Sequence, residues 1–155
     1  MGTDSGFSFK TALNTSTLRP FDLDVKEQIE VCVRSGYQGI ELWVRDLNEY
    51  LNNGGRLDEL RRYIEDAGIE VINGVAFFKW TDADKDVRRE GFEQAKKEME
   101  LLAAIGCRAV AAPPTGNVDG VSLDEMATNF ERLVRIGREI GVEPYLEIWG
   151  HTRKL

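Results

Sequence analysis

A chain of 155 residues suits one domain with a moderate core, taken here as residues 1–155 with a polar leader over residues 1–7. Hydrophobic residues make up 42% and charged residues 30%, too apolar for disorder, and no apolar run is long enough to cross a bilayer. The formal charge of −7, with basic residues scattered along helical stretches, sets the chain against nucleic acid as a partner.

Cys32 and Cys107 stand far apart, with no second Cys or His at metal spacing, and read as core thiols of a reducing, cytoplasmic compartment. The leader Met1-Gly2-Thr3-Asp4-Ser5-Gly6 lacks an apolar secretory core.

The first strand is expected over Ser8–Asn14, followed by a loop through Arg19 and Pro20 that Asp22 or Asp24 ends as a helix cap. The helix runs to about Ser35 with Val25, Ile29, Cys32 and Val33 on one face. Four times a helical pattern then closes on a glycine and a short apolar run follows, at Gly36, Gly68, Gly106 and Gly141. A glycine at the left-handed position past a helix, then four to six apolar residues, is one step of a parallel βα repeat.

After the second strand, which carries Glu41, residues Asp46 to Gly55 read as a short helical turn ending in the loop Asn52-Asn53-Gly54-Gly55. A second main helix spans Leu57–Ala67, burying Leu57, Leu60 and Ile64. The third strand, Val71–Phe77, continues into Phe78-Lys79-Trp80, aromatics that fit core packing or a pocket wall equally.

The run Asp82-Ala83-Asp84-Lys85-Asp86 with Glu93 mimics a calcium loop, but Val87 stands where the sharp turn needs Gly; acidic residues in the first turn of a helix, Asp84 to Ile105, account for it. Strand four, Arg108–Ala112, is stopped by Pro113-Pro114-Thr115-Gly116. Ser122 and Glu125 form a capping box for a helix whose Met126, Phe130, Leu133, Val134 and Ile140 face the core.

The last strand is drawn from Gly141 to His151. In it Glu147 alternates with Leu146 and Ile148, so it faces the interior if they face helices. A carboxylate buried there requires a cation, a metal or several donors.

Five strands and four main helices at this spacing fit two architectures: an open doubly wound sheet, or the first half of an eight-fold βα barrel. The loop Asn14-Thr15-Ser16-Thr17-Leu18-Arg19 has no Gly, which disfavours a phosphate-binding doubly wound domain.

Four segments in order, Ala12–Arg19, Gly36–Trp43, Ala111–Pro114 and Leu146–Gly150, resemble the sugar phosphate isomerase/epimerase group of xylose isomerase-like barrels. That resemblance implies a TIM-type barrel, here its N-terminal half with about five strands and four helices. It implies a divalent metal (Mn, Mg, Co or Zn) at the C-terminal mouth and enediolate-type proton transfer on a sugar, sugar phosphate, polyol or keto acid.

Glu147 matches the family's strand-five glutamate, a metal ligand and proton-transfer carboxylate. Glu41 matches an acidic position that contacts substrate or a neighbouring His, with a salt bridge to Arg45 or another core Arg as the competing role. Asn14, Trp43, Trp80, Trp149 and His151 are further candidates to contact substrate. The family's remaining ligands, after strands six, seven and eight, have no positions in this chain. A non-catalytic polyol-binding or structural domain of the same fold is the alternative. Open strand edges in a half barrel predict self-association.

Overall fold

The computed structural model describes residues 9–148. Five strands form one sheet: β1 (Ala12–Asn14), β2 (Gly39–Trp43), β3 (Glu70–Val75), β4 (Ala109–Ala111) and β5 (Glu143–Tyr145). All neighbours are parallel and the spatial order is the chain order, β1-β2-β3-β4-β5. A doubly wound sheet reverses order at a switch point, whereas a barrel adds each strand beside the last, so the order decides for the barrel.

The connections are a 3-10 helix (Thr15–Phe21) and five α-helices: α1 (Val25–Arg34), α2 (Val44–Asn52), α3 (Leu57–Ala67), α4 (Lys85–Ala104) and α5 (Leu123–Ile140). The four repeat glycines all have positive φ, from 68° at Gly68 to 88° at Gly106, as the left-handed closing position requires. Asp24 caps α1 with a complete capping box: its side chain accepts from Lys26 and Glu27 N–H, and the Glu27 carboxylate accepts from Asp24 N–H at 2.8 Å.

The box expected at Ser122 forms by half. Ser122 Oγ accepts from Glu125 N–H at 3.2 Å, but the Glu125 carboxylate pairs with Arg88 at 3.2 Å.

Strands are shorter than their apolar runs suggested, because pairing lapses before hydrophobicity does. The first, third and fourth shrink to Ala12–Asn14, Glu70–Val75 and Ala109–Ala111, and the last ends at Tyr145. The turn expected from Asp46 is a full helix starting at Val44, because Val44 and Leu47 are buried. Val33 is 38% exposed; the buried face of α1 is Val25, Gln28, Ile29 and Cys32, the i, i+3, i+4, i+7 stripe.

Ile40, Leu42 and Val110 point away from the barrel interior and pack with Leu60, Leu102 and Leu133 of α3, α4 and α5 in one continuous core. Cys32 and Cys107 are free and buried in it, and burial pushes both thiols up to about 11.

The acidic run before α4 serves as cap and clamp. Asp84 caps the helix by accepting from Asp86 and Val87 N–H. Asp82, 6% exposed, accepts from Asn117 and Asp84 N–H at 2.9 Å each, and these bonds, Asn117 first, hold its carboxyl below the usual range. It thereby ties the β3–α4 loop to the β4–α5 loop.

Candidate functional site

Asn14 ends β1, Glu41 lies in β2 and Asn73 in β3, and the register sets the three side by side. Because Ile40 and Leu42 fill the helix layer, alternation turns Glu41 to the inner face. There both its oxygens are occupied: Asn73 Nδ2 donates to Oε1 at 2.6 Å, and Asn14 Nδ2 donates to Oε2.

Asn14 Oδ1 accepts from the backbone N–H of Ser16 at 2.9 Å, which also starts the 3-10 helix, and from Trp43 Nε1 at 3.0 Å. Trp43 is therefore held upright at the strand end. One face carries the Arg19 guanidinium, 3.8 Å from the ring centroid, and the Phe77 ring lies 5.3 Å away.

A carboxylate with fixed oxygens, two amides and an aromatic wall is a set that recognises hydroxyl groups. Each oxygen of Glu41 keeps lone-pair capacity beyond the one bond it receives, so it can accept from a ligand O–H.

The candidate residues thus divide. Asn14, Glu41 and Trp43 come together. The competing salt bridge does not form among the described residues: Arg45 pairs with Asp46 at 2.8 Å.

Trp80 is placed elsewhere. It is 1% exposed, its Nε1 donates to the Pro113 carbonyl at 3.0 Å and its ring lies 5.4 Å from Phe130, so it is a core residue and not part of the inner-face cluster.

Glu147 lies two residues past the end of β5 and is exposed, not buried as alternation suggested. Nothing among the described residues covers the outer edge of β5, and Tyr145, Leu146 and Ile148 are exposed with it. Trp149 and His151 lie outside the described residues.

Asn73 was not among the sequence candidates; an Asn followed by Gly inside an apolar run was the available signal, since a lone Gly in a strand often marks a bulge.

A divalent metal needs converging donors. Among the described residues no group of three or more His, Cys, Asp or Glu side chains is placed to hold one, and the Glu41 oxygens already receive two amides. Residues 9–148 thus do not complete a metal centre.

A concavity of about 850 Å³ between the 3-10 helix, α1 and α2 is lined by Arg19, Lys26, Gln28, Asp46 and Tyr50 among others and contains none of Asn14, Glu41 and Asn73. The cluster sits on the open inner face of the sheet instead.

Strand order, with a polar cluster on the inner face of the sheet, defines half of a βα barrel. The family model described as xylose isomerase-like TIM barrel matches residues 29–154, and the chain belongs to that family.

Inosose isomerase of Bacillus velezensis is 29% identical over 154 residues, covering 95% of this chain and 51% of the relative. 3-Dehydroshikimate dehydratase of Pseudomonas aeruginosa is 25% identical over 130 residues, covering 80% of this chain and 20% of the relative. The crystal structure of IOLI protein with a bound zinc atom superposes with a TM-score of 0.80 at 25% identity, over 92% of this chain and 52% of that one. The chain thus spans about half the length of the isomerase relative, and less of the dehydratase.

Proposed function

We propose that the chain forms the N-terminal half of the active site of an isomerase or epimerase acting on a sugar, sugar phosphate, polyol or related keto acid. The observation that carries this reading is Glu41, held on the inner face by Asn14 and Asn73 beside Trp43, where a ligand hydroxyl can donate to its carboxylate. Its similarity to an inosose isomerase and a 3-dehydroshikimate dehydratase supports a small hydroxylated substrate.

In this proposal Glu147 takes the proton from the hydroxyl-bearing carbon next to a carbonyl, and the electron pair moves onto the carbonyl oxygen to give an enediolate-type intermediate. For isomerisation the proton returns to the former carbonyl carbon while the neighbouring hydroxyl passes its proton to the enediolate oxygen; for epimerisation a second acid, from outside residues 9–148, delivers a proton to the opposite face. A divalent ion enters the proposal only as a partner of Glu147, with the other donors coming from outside residues 9–148. Trp149 and His151, next along the chain, are proposed to line the same mouth.

The test is solvent deuterium exchange. With D-fructose and Mn(II) in D2O, the protein is expected to wash deuterium into the ketose beside its carbonyl, and Glu147→Gln is expected to slow this by about 100-fold or more.

A second reading, a polyol-binding domain without catalysis, is favoured by the exposure of Glu147. Fructose binding through Glu41 with no exchange in any condition would select it.

The edges of β1 and β5 carry no further strand among the described residues, and Tyr145 and Ile148 are 58% and 69% exposed. Self-association through these edges is part of the proposal. Light scattering on a sizing column is expected to give a dimer or larger, and a stable monomer at micromolar concentration contradicts it.

A further inference from the structure

The inner face of β3 breaks strict alternation at one place. Ile40 pairs with Val71, but Glu41 pairs with Asn73, so Ile72 is passed over in the ladder. Such a bulge sets two residues of one strand against one of its neighbour and re-aims a side chain. In regular register Ile72 would stand opposite Glu41 and offer no donor.

With the bulge, Ile72 moves over Gly39, where a Cβ would lie 2.8 Å from its Cγ2, and Asn73 reaches Glu41 Oε1 at 2.6 Å. Gly39 supplies the room and Asn73 the bond.

The amide commits to this bond at a cost. Its Oδ1 is buried and makes no hydrogen bond among the described residues, so Glu41 is the hydrogen-bond partner the amide has there and the bulged backbone sets where that amide stands. Asn14, by contrast, is anchored independently through Ser16 and Trp43.

The geometry points to Asn73 as the positioning residue of the site: the β3 bulge delivers its amide to Glu41 and so fixes the carboxylate that accepts a ligand hydroxyl. The second clause rests on the polyol reading above; the first does not.

Two measurements on the full chain separate these clauses. Carbon-13 relaxation of the Glu41 side-chain methylene, without ligand, is expected to show an ordered group that Asn73→Ser turns flexible, its order parameter falling below about 0.6. A Glu41 as ordered in Asn73→Ser as in the parent chain overturns the assignment.

The second compares D-fructose binding in Asn73→Asp and in the Asn73→Asp/Glu41→Gln double variant, which reverses donor and acceptor within the same pair. The double variant is expected to regain the melting temperature lost in Asn73→Asp while binding stays at least about tenfold weaker, since one such bond lost is of the order of 1.4 kcal/mol or more. Recovery of binding in the double variant shows that a bond at this place suffices without the Glu41 carboxylate and overturns the clause that this carboxylate accepts the ligand hydroxyl. A parent chain that does not bind D-fructose removes the polyol reading, and the relaxation result still decides the role of Asn73.

Discussion

Trp80→Ala is expected to cost the fold about 3–5 kcal/mol, the range for removing a large aromatic from a packed core. The indole is 1% exposed, rests against Phe130 of α5 and donates to the Pro113 carbonyl in the turn after β4. It therefore joins the turn after β3, the turn after β4 and a helix. Alanine leaves a cavity and strips the Pro113 carbonyl of its donor. Trp80→Phe keeps most of the volume and is expected to lose only about 1–3 kcal/mol, the penalty of an unpaired buried acceptor. Urea unfolding of both variants checks the order. A loss under about 1 kcal/mol for alanine, with weakened ligand binding, returns Trp80 to the site wall.

Gly137→Ala, in the last turn of α5, is expected to destabilise by about 2 kcal/mol even though alanine favours helix by up to about 1 kcal/mol. The reason is the contact of helix with strand. A Cβ at this position runs into the Val142 carbonyl oxygen and comes within 2.8 Å of Pro144 Cδ. The same turn closes α5, with Gly141 and Val142 N–H both donating to the Gly137 carbonyl at 2.8 and 3.0 Å. Backbone gives way only by moving, so relief means shifting β5, the strand that leads to Glu147. Faster exchange of the Glu143 and Tyr145 amides alongside the lowered urea midpoint is the expected signature. A stabilised variant contradicts this packing.

How far the sequence speaks depends on whether the information is local. The βα repeat was legible because a left-handed glycine and an apolar run are local signals, and all four glycines behave as such. The choice between barrel and doubly wound sheet was not, since both use the same units and differ only in which strands adjoin. Family resemblance, not periodicity, supplied that expectation.

Asn14, Glu41 and Trp43 were found through the resemblance, and their convergence follows from parallel register. Asn73 was missed because Val71–Phe77 reads as a regular strand, and a bulge changes which face a residue meets without changing the hydrophobic run. Trp80 stood open between core and pocket wall because an aromatic cluster at a strand end does not say which way its rings turn; the bond to Pro113, 33 positions away, decides it. Glu147 was drawn inside the last strand, but pairing stops at Tyr145, and its burial depends on what lies beyond the strand's free edge.

The most direct measurement is an amide and side-chain NMR map of the chain titrated with D-fructose, repeated with Glu41→Gln. The expected result is saturable shifts at the Asn14 and Asn73 side-chain amides and the Trp43 indole N–H, absent in the variant. Shifts confined to the outer helices, or a map that Glu41→Gln leaves unchanged, contradict a hydroxyl-reading site on the inner face.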